Sequence, residues 1–241
     1  MDRLLTTVQY ELRDGIAWIT MNRPEVMNAS NVAMKEDLTE AVAAAERDAA
    51  ARVIVLTGNG EAFCSGGDRT EAVAATPDSY RARIHLHQQL CLAIWNAGKP
   101  VIAAINGYAL GGGLEMAVMC DIRLAARSAM LGTPVSRIGS ISTGALHDQL
   151  ARIVGVGHAM HMLLTADPIT AETALRLGLV TGVFDDEALA EETHRLAVRI
   201  GDYPAASITA AKRALRAACG TRLNATLDLE EDLAAGMFGK A

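Results

Sequence analysis

Short apolar runs alternate with amphipathic segments through the first three quarters of the chain. Residues 8–21 alternate apolar and polar positions on either side of Asp14-Gly15, a pattern that predicts a β-hairpin. The apolar runs at 52–57 and 101–105 are continuous and are followed by glycine loops, which is typical of strands covered on both faces. Their similarity of pattern predicts stacked β/α turns of a spiral.

Helical periodicity appears first over 31–48, with Ser30 or Asn31 as the N-cap, and again over 78–97. From residue 146 onward the pattern is nearly all helix, interrupted by a short strand. The segments predicted there are helices over 146–153, 157–165, 168–177, 186–200, 204–218 and 221–235, and a strand over 179–184. We therefore expect an α/β core over 1–185 and a C-terminal helical region over 186–241 that serves as a lid or an oligomerisation layer.

Composition sets limits on the class of protein. The chain has 241 residues, is 51% hydrophobic and carries a net charge of −6, which suits one sizeable core and disfavours nucleic acid as a partner. The four cysteines are scattered without metal-binding spacing, so we expect reduced thiols, no metal and a cytoplasmic location. The N-terminus does not resemble a signal peptide and no apolar run is long enough for a membrane helix, so no membrane association is expected.

The stretch from Lys99 to Ala126 is predicted to run strand, tight turn, helix, strand. Three consecutive glycines, Gly111-Gly112-Gly113, allow a ligand to approach the backbone closely, and a helix N-terminus just beyond leaves free amides. Such a place binds anions or a polarised carbonyl oxygen. Glu115 follows in an otherwise apolar segment, where an acid is costly unless it is paired or functional. The alternative is a buried helix whose glycines only permit close packing.

A second glycine pair, Gly66-Gly67, lies within 61–71, after the strand at 52–57. It suggests a second set of backbone donors, and a plain glycine turn is the competing interpretation. The segment 127–146 is rich in Gly, Ser and Thr and is predicted to be a loop that lines a site.

Several of these stretches together resemble the crotonase, or enoyl-CoA hydratase/isomerase, superfamily. The resemblance implies an α/β fold with a crotonase-like ββα spiral core, two roughly perpendicular sheets, and a C-terminal helical oligomerisation region that forms a homotrimer or a hexamer built as a dimer of trimers. It implies acyl-CoA thioesters as substrates, with coenzyme A entering as part of the substrate and no separate cofactor. The matching segments are NRPEVMNA (22–29), AFCSGGD (62–68), KPVIAAINGYALGGGLEMAVMCDIRLAA (99–126), ARIVG (151–155), LLTADPITAETALRLGLV (163–180) and PAASITAAK (204–212).

The resemblance also assigns roles to residues. The backbone amides of Gly67 and Gly112 would form the oxyanion hole for the thioester oxygen, and Glu115 would act as acid and base. The remaining positions are implied to contact the substrate: Asn28, Ala29, Ser65, Gly66, Asp68 and Gly111. Asp68 is also a candidate for a structural role, capping the turn beyond Gly67.

One departure from the family pattern bears on the chemistry. Val135 stands where hydratases of the family carry a second glutamate, and Thr143 stands where the dehalogenases carry an aspartate nucleophile. His87 and His147 are candidates to replace the missing acid, because histidine titrates near neutral pH. Three functions remain open: a hydratase or isomerase with one glutamate, another crotonase-type reaction such as acyl-CoA hydrolysis or decarboxylation, and a non-catalytic acyl-CoA binder. The sequence does not define the acyl group.

Overall fold

The computed structural model describes residues 5–73, 76–220 and 222–238. Within these ranges the strands are β1 (Val8–Arg13), β2 (Ile16–Met21), β3 (Val53–Gly58), β4 (Ala62–Cys64), β5 (Val101–Ile105), β6 (Tyr108–Leu110), β7 (Ile122–Ala126), β8 (Met130–Gly132), β9 (Ile169–Thr170) and β10 (Gly182–Phe184). The helices are α1 (Val32–Arg47), α2 (Arg69–Val73), α3 (Pro77–Asn96), α4 (Gly112–Met119), α5 (Leu146–Val154), α6 (Val156–Thr165), α7 (Ala171–Arg176), α8 (Leu189–Gly201), α9 (Ala205–Cys219) and α10 (Leu223–Met237).

The larger sheet holds six strands in the order β1-β2-β3-β5-β7-β10. Strands β1 and β2 form the predicted antiparallel hairpin, and the other neighbours pair in parallel. The two similar apolar runs of the sequence become adjacent strands, with Ile54 opposite Val101 and Leu56 opposite Ala103. The repeat predicted from their pattern is therefore confirmed.

The chain alternates between this sheet and a second one of four strands, ordered β4-β6-β8-β9. After β3 it enters β4, after β5 it enters β6, and after β7 it enters β8. Each turn thus contributes one strand to each sheet, and helices α3 and α4 join successive turns. This is the predicted α/β fold with a ββα spiral core, followed by C-terminal helices.

Apolar burial holds the larger sheet in place. Ile19, Ile54 and Ile102 are fully buried in three neighbouring strands, and α8 packs on β2, β3, β5 and β7. Burying an isoleucine side chain contributes about 1.5–3 kcal/mol, so these continuous apolar runs account for the stability of the central strands. Helix α1 begins as predicted, because the Asn31 side chain accepts a hydrogen bond from the Met34 amide at 2.9 Å.

Several features differ from the sequence prediction. The helix predicted over 168–177 begins only at Ala171, after strand β9. Strands β4 and β6 were not predicted, because three residues are too few to show a period. The predicted loop at 127–146 contains β8 and a 3-10 helix, Pro134–Ile138. The helix predicted over 186–200 starts as a 3-10 turn at Asp186–Ala188 before α8 begins. The start predicted for the last helix, residue 221, lies outside the described residues.

The last three helices differ in how they pack. Helix α8 lies on the larger sheet, α10 packs on α3 and α5, and α9 buries none of its side chains within the described chain. The role of the C-terminal region as a lid or an oligomerisation layer stays a prediction. In the part of the chain that the structure describes, no helix combines the length and apolar character that crossing a membrane requires.

Candidate active site

Two glycine loops from different turns of the spiral meet beside the start of α4. A Cβ atom at Gly113 would lie 2.1 Å from the Cys64 carbonyl oxygen, so only glycine lets α4 approach β4 this closely. A Cβ at Gly66 would lie 3.8 Å from the Gly112 nitrogen, and one at Gly111 would lie 3.9 Å from the Gly66 Cα. The loops carrying Gly67 and Gly112 are therefore in van der Waals contact.

Among the described residues the Gly67 amide has no hydrogen-bond acceptor, because of the way its loop pairs with Ser30. The Ser30 amide donates to the Gly66 carbonyl at 2.8 Å, and the Asp68 amide donates to the Ser30 carbonyl at 3.1 Å. In this parallel bridge the amide of the residue between them faces away from Ser30. Gly112 is the first residue of α4, where backbone amides have no partner within the helix. Both glycines border one cavity.

Glu115 lies in the first turn of α4 and is 3% exposed. Its Oε2 atom is 2.8 Å from His87 Nε2 on α3, and the Thr143 amide donates to the same oxygen at 3.3 Å. His87 is also buried, at 6% exposure. The structure thus joins two of the candidate residues, Glu115 and His87, in one buried pair.

This pair is held in its ionised form. Burial raises the pKa of Glu115, but His87, the Ser142 hydroxyl and the Thr143 amide outweigh it, so the carboxyl pKa lies below its usual 4.5. Burial lowers the pKa of His87, while Cys91 and Glu115 raise it, and the net direction is upward from 6.5. Burial raises the pKa of the Cys91 thiol, which is therefore protonated at neutral pH, so the negative charge beside His87 belongs to Glu115.

Gly144 packs so closely against this pair that no side chain would fit at its position. A Cβ there would lie 2.6 Å from Glu115 Oε2, 2.8 Å from Cys91 Sγ and 2.9 Å from His87 Nε2. The sequence pattern did not single out Gly144 or Cys91. Their contribution is visible only once α3, α4 and the loop before α5 are packed together.

The cavity in front of Glu115 has a volume of about 180 Å³. Val135 lines it, and Gly111 lies close enough that an added Cβ would be 3.5 Å from Val135 Cγ1. Val135, which the resemblance aligns with the second glutamate of the hydratases, thus contributes an apolar side chain to the wall of this cavity. Thr143 also lines it and meets Glu115 through its backbone amide rather than its side chain.

The other predicted substrate-binding positions surround the two loops. Among the described residues that line the cavity are Gly67, Asp68 and Gly112, but not Asn28, Ala29, Ser65, Gly66 or Gly111. The Asn28 side chain is fully buried; it accepts from the Arg23 amide at 2.8 Å and donates to the Asn59 and Ala62 carbonyls. Asn28 therefore fastens its loop, and the whole residue is shielded from the cavity.

Asp68 lines the cavity, but its carboxylate is already engaged. Its Oδ1 atom accepts hydrogen bonds from the Thr70 amide and hydroxyl, and Oδ2 pairs with Arg23 at 2.9 Å. The Thr70 hydroxyl is the largest cause that lowers the pKa of Asp68, and Arg23 adds to it against the effect of burial. These contacts fit the capping role considered for Asp68.

His147 lies apart from His87 and pairs with a residue of α10. Its Nδ1 atom is 2.5 Å from Glu230 Oε1, and Glu230 Oε2 accepts from the Ala145 amide at 2.7 Å. Sequence reasoning missed Glu230, although a signal was present. It falls on the apolar face of its helix, in line with Leu223, Leu227 and Ala234, and a lone acid on such a face needs a buried partner.

No group of three or more His, Cys, Asp or Glu side chains within the described ranges is arranged to hold a metal ion. The chemistry that this arrangement supports is that of two backbone donors, one ionised carboxylate and one histidine around a small cavity. Such a set can bind a carbonyl oxygen, stabilise negative charge on it, and move a proton at a neighbouring atom.

Comparison with known proteins identifies the family to which the chain belongs. A family model described as enoyl-CoA hydratase/isomerase matches residues 11–241. A probable enoyl-CoA hydratase of Rhodobacter capsulatus is 38% identical over 227 residues, covering 94% of this chain and 88% of that protein. The (E)-benzylidenesuccinyl-CoA hydratase of Thauera aromatica is 40% identical over 214 residues, covering 86% of this chain and 81% of that protein.

Solved structures give the same result. The crystal structure of an enoyl-CoA hydratase/isomerase from Xanthobacter autotrophicus matches with a TM-score of 0.90 at 32% identity, and the match covers 97% of this chain and 89% of that one. The sequence match extends over both glycine loops and the helices that carry Glu115 and His87. The chain therefore belongs to the enoyl-CoA hydratase/isomerase family of acyl-CoA enzymes, the crotonase superfamily.

Proposed function

We propose that this enzyme adds water across the double bond of a 2-enoyl-CoA thioester, with Glu115 as the group that moves the protons. The observation that carries the proposal is the position of the buried Glu115–His87 pair beside two converging glycine loops with free amides. The Gly67 and Gly112 amides would receive the thioester oxygen. In well-studied oxyanion holes, each such donor stabilises the transition state by about 3 kcal/mol.

The reaction balances with these groups alone. Glu115 takes a proton from water as the water oxygen bonds to the β-carbon, and the electron pair of the double bond moves onto the thioester oxygen as an enolate. The two amides stabilise that charge. The α-carbon then takes the proton back from Glu115, and the carboxylate is restored. The thioester bond stays intact, so the coenzyme A remains attached to the 3-hydroxyacyl product.

His87 acts on this cycle through Glu115. A carboxylate that must accept a proton has to be ionised at the start, and burial opposes that. The hydrogen bond from His87 Nε2 to Glu115 Oε2, 2.8 Å long, supplies the charge that keeps it ionised. His87 is therefore a positioning residue in the proposed reaction.

The replacement by Val135 limits the rate that we expect. One positioned acid or base contributes typically about 10²- to 10⁴-fold to a reaction. With one carboxylate in place of two, hydration should be slower by a factor in that range than with a complete pair. Isomerisation through the missing acid is disfavoured for the same reason.

The names of the relatives favour hydration over the other reactions of the superfamily. The Rhodobacter capsulatus protein is named a probable enoyl-CoA hydratase, and the Thauera aromatica protein is named an (E)-benzylidenesuccinyl-CoA hydratase. Hydrolysis, decarboxylation and binding without turnover are the alternatives that an experiment must separate from it.

The purified protein should be incubated with crotonyl-CoA and with 2-hexenoyl-CoA. We expect loss of the enoyl thioester absorbance, a 3-hydroxyacyl-CoA product by mass, and no release of free thiol. Release of free coenzyme A would indicate a hydrolase, and loss of carbon dioxide from carboxylated acyl-CoA thioesters would indicate a decarboxylase. Tight binding without any product across the panel would show a binder and contradict the proposal.

A further inference from the structure

One end of the cavity carries two cations that the proposed hydration does not use. Lys35 on α1 and Arg83 on α3 both line the cavity that Glu115 borders. Lys35 is 4% exposed, and the Arg83 side chain is 15% exposed. Removing charged groups from water is costly, so buried cations normally face an anion.

Arg83 has donors that its protein neighbours leave unused. Its Nη2 atom donates to the Asp68 carbonyl at 3.2 Å, and its Nε atom is 3.6 Å from Glu71 Oε2, too far for a hydrogen bond. The Nε and Nη1 atoms are buried, and neither has a hydrogen-bond acceptor among the residues that the structure describes. A guanidinium presents such donors as a planar fork that matches a carboxylate.

Lys35, like Arg83, is a buried cation whose charge is only partly compensated by its neighbours. Burial lowers the pKa of Lys35 to about 8, and the nearby positive charge of Arg83 adds to the effect, which Glu71 and Asp68 only partly oppose. In the described part of the chain, no acceptor lies within hydrogen-bond distance of its ammonium group. The two cations thus repel each other across a space that an anion would fill.

The carboxylates nearest to these cations are committed elsewhere. Asp68 is held by Thr70 and Arg23, as described above. Glu71 accepts hydrogen bonds from the Val32 amide at 3.1 and 3.2 Å, at the N-terminus of α1. Glu71 forms an ion pair with Arg83 at 3.6 Å, but neither carboxylate accepts a hydrogen bond from the buried Nε and Nη1 atoms of Arg83.

The position of Arg83 indicates which part of a ligand reaches it. Arg83 precedes His87 by four residues on α3, so the two side chains lie on the same face of the helix, one turn apart. An anion bound at Arg83 is consequently close to the reacting carbons. The phosphates of coenzyme A are separated from the thioester by the whole pantetheine arm, and the cavity of about 180 Å³ is too small to hold them as well.

We propose that the acyl group of the substrate carries a second carboxylate, which binds between Lys35 and Arg83. The substrate class is then the mono-CoA thioesters of unsaturated dicarboxylic acids. This inference rests on the proposed function, because it places the thioester at Gly67 and Gly112. Ile84 and Ile141, which also line the cavity, contact the apolar carbons of the acyl chain.

The direct test compares 2,3-dehydroadipyl-CoA with 2-hexenoyl-CoA, which has the same six carbons and a methyl group in place of the carboxylate. A hydrogen bond to a charged group is worth about 10- to 100-fold in an equilibrium, so we expect kcat/KM to favour dehydroadipyl-CoA by at least about 10-fold. Equal kcat/KM for the two thioesters would overturn the inference and leave the proposed hydration intact.

Variants of Lys35 and Arg83 test whether these two side chains produce the preference for dehydroadipyl-CoA. Lys35→Met and Arg83→Met should each reduce the preference for dehydroadipyl-CoA by about 10-fold, while kcat/KM for hexenoyl-CoA stays within about twofold. Arg83→Lys should recover part of the preference. Arg81→Met is the matched control, because Arg81 lies on the same helix but is half exposed and pairs with Glu231 on the surface. Equal losses on both substrates would show a structural role and count against the inference.

Binding of unreactive thioesters keeps the test independent of turnover. Calorimetry with adipyl-CoA, hexanoyl-CoA and free coenzyme A should show that Arg83→Met weakens adipyl-CoA alone. Weaker binding of all three would mean that Arg83 holds a coenzyme A phosphate, which contradicts the inference. If neither enoyl thioester is turned over, the proposed hydration fails, and the adipyl-to-hexanoyl comparison still decides whether the cationic end binds a carboxylate.

Discussion

At the scale of single residues, the buried charge of Glu115 depends on the groups that surround it, of which only His87 carries an opposite charge. Its carboxylate is 3% exposed, and the contacts that keep it ionised come from His87, Ser142 and Thr143. The raised pKa of His87 means that its contribution to stability is complete below about pH 6.5 and is lost only as the pH rises through the higher folded-state pKa. The lowered pKa of Glu115 means that its contribution is present above about pH 4.5 and is lost as the pH falls through the lower folded-state pKa. The pair is therefore ionised across the neutral range.

Replacing His87 by glutamine should shift the ionisation of Glu115 to higher pH, so that less of the carboxylate is present at a given pH. Glutamine can still donate a hydrogen bond but carries no charge, so the pKa of Glu115 should rise. We expect the acid limb of the pH profile of kcat/KM to move to higher pH by about one unit or more. The wild-type profile should show no ionisation near pH 6.5, where an unpaired histidine titrates.

His85→Gln provides the matched control for this experiment. His85 lies two residues before His87 on α3, is more than half exposed and contacts Glu231 on the surface. Its replacement should leave the profile unchanged. An acid limb that stays in place in His87→Gln would show that Glu115 does not depend on His87.

Gly144 gives a steric test of the same cluster. Alanine at this position would place a methyl group within 3 Å of Glu115, His87 and Cys91. We expect Gly144→Ala to lower kcat by about 10²-fold or more and to reduce the free energy of unfolding by about 1–3 kcal/mol. Gly157→Ala is the control, since a Cβ there meets nothing within 4 Å and alanine suits its helix. Normal kcat in Gly144→Ala would mean that the pair tolerates displacement.

At the scale of elements, helix α10 holds the loop that meets Glu115. Glu230 accepts from the Ala145 amide and contacts His147 at the start of α5, directly after Thr143 and Gly144. The C-terminal helical region is thereby connected to the proposed site. Helix α10 also packs on α3, which carries His87.

Glu230→Gln should loosen this connection. The amide keeps one acceptor oxygen but loses the second, so a buried donor is left without a partner, which costs about 1–3 kcal/mol in the free energy of unfolding. Urea unfolding monitored by circular dichroism would measure it. Asp232→Asn, an exposed position two residues along the same helix, should change stability by less than about 0.5 kcal/mol. Equal effects of the two substitutions on the free energy of unfolding would show that Glu230 does not hold the loop before α5.

The elements differ in how far the sequence predicts them. Strand β5 and helix α4 were predictable, because a continuous apolar run, three glycines and a lone acid each leave a local signal. Strands β4 and β6 were not, because three residues in the smaller sheet are fixed by their neighbours rather than by their own pattern. The Glu115–His87 contact joins residues 28 apart. It depends on how α3 packs against α4, which no local pattern encodes, although each residue was a candidate by itself.

At the scale of the whole molecule, exposed apolar side chains lie on the later helices. Leu164 on α6, Leu215 on α9 and Leu229 on α10 are 77%, 67% and 58% exposed, and α9 buries no side chain within the described chain. We predict that these helices are covered by neighbouring subunits in a homotrimer or a hexamer. Sedimentation equilibrium should give three or six times the subunit mass of 25.4 kDa. A monomer at micromolar concentration would contradict this.

The spiral explains why residues far apart in the chain meet in one cavity. Each turn places a strand in both sheets, so the loops that follow β4 and β6 stack directly on each other. Their glycines, Gly67 and Gly112, border one cavity, and the helices after them carry His87 and Glu115. The proposed chemistry is thus a property of the stacked turns rather than of any single motif.

Turnover of an enoyl-CoA by Glu115→Gln is the measurement that tests this account most directly. Glutamine preserves the size of the side chain but cannot accept a proton from water, so kcat should fall by about 10²- to 10⁴-fold while the thioester still binds. Binding of the corresponding saturated acyl-CoA should remain within a few fold of wild type, since the Gly67 and Gly112 amides are unchanged. Wild-type kcat in Glu115→Gln would contradict the account.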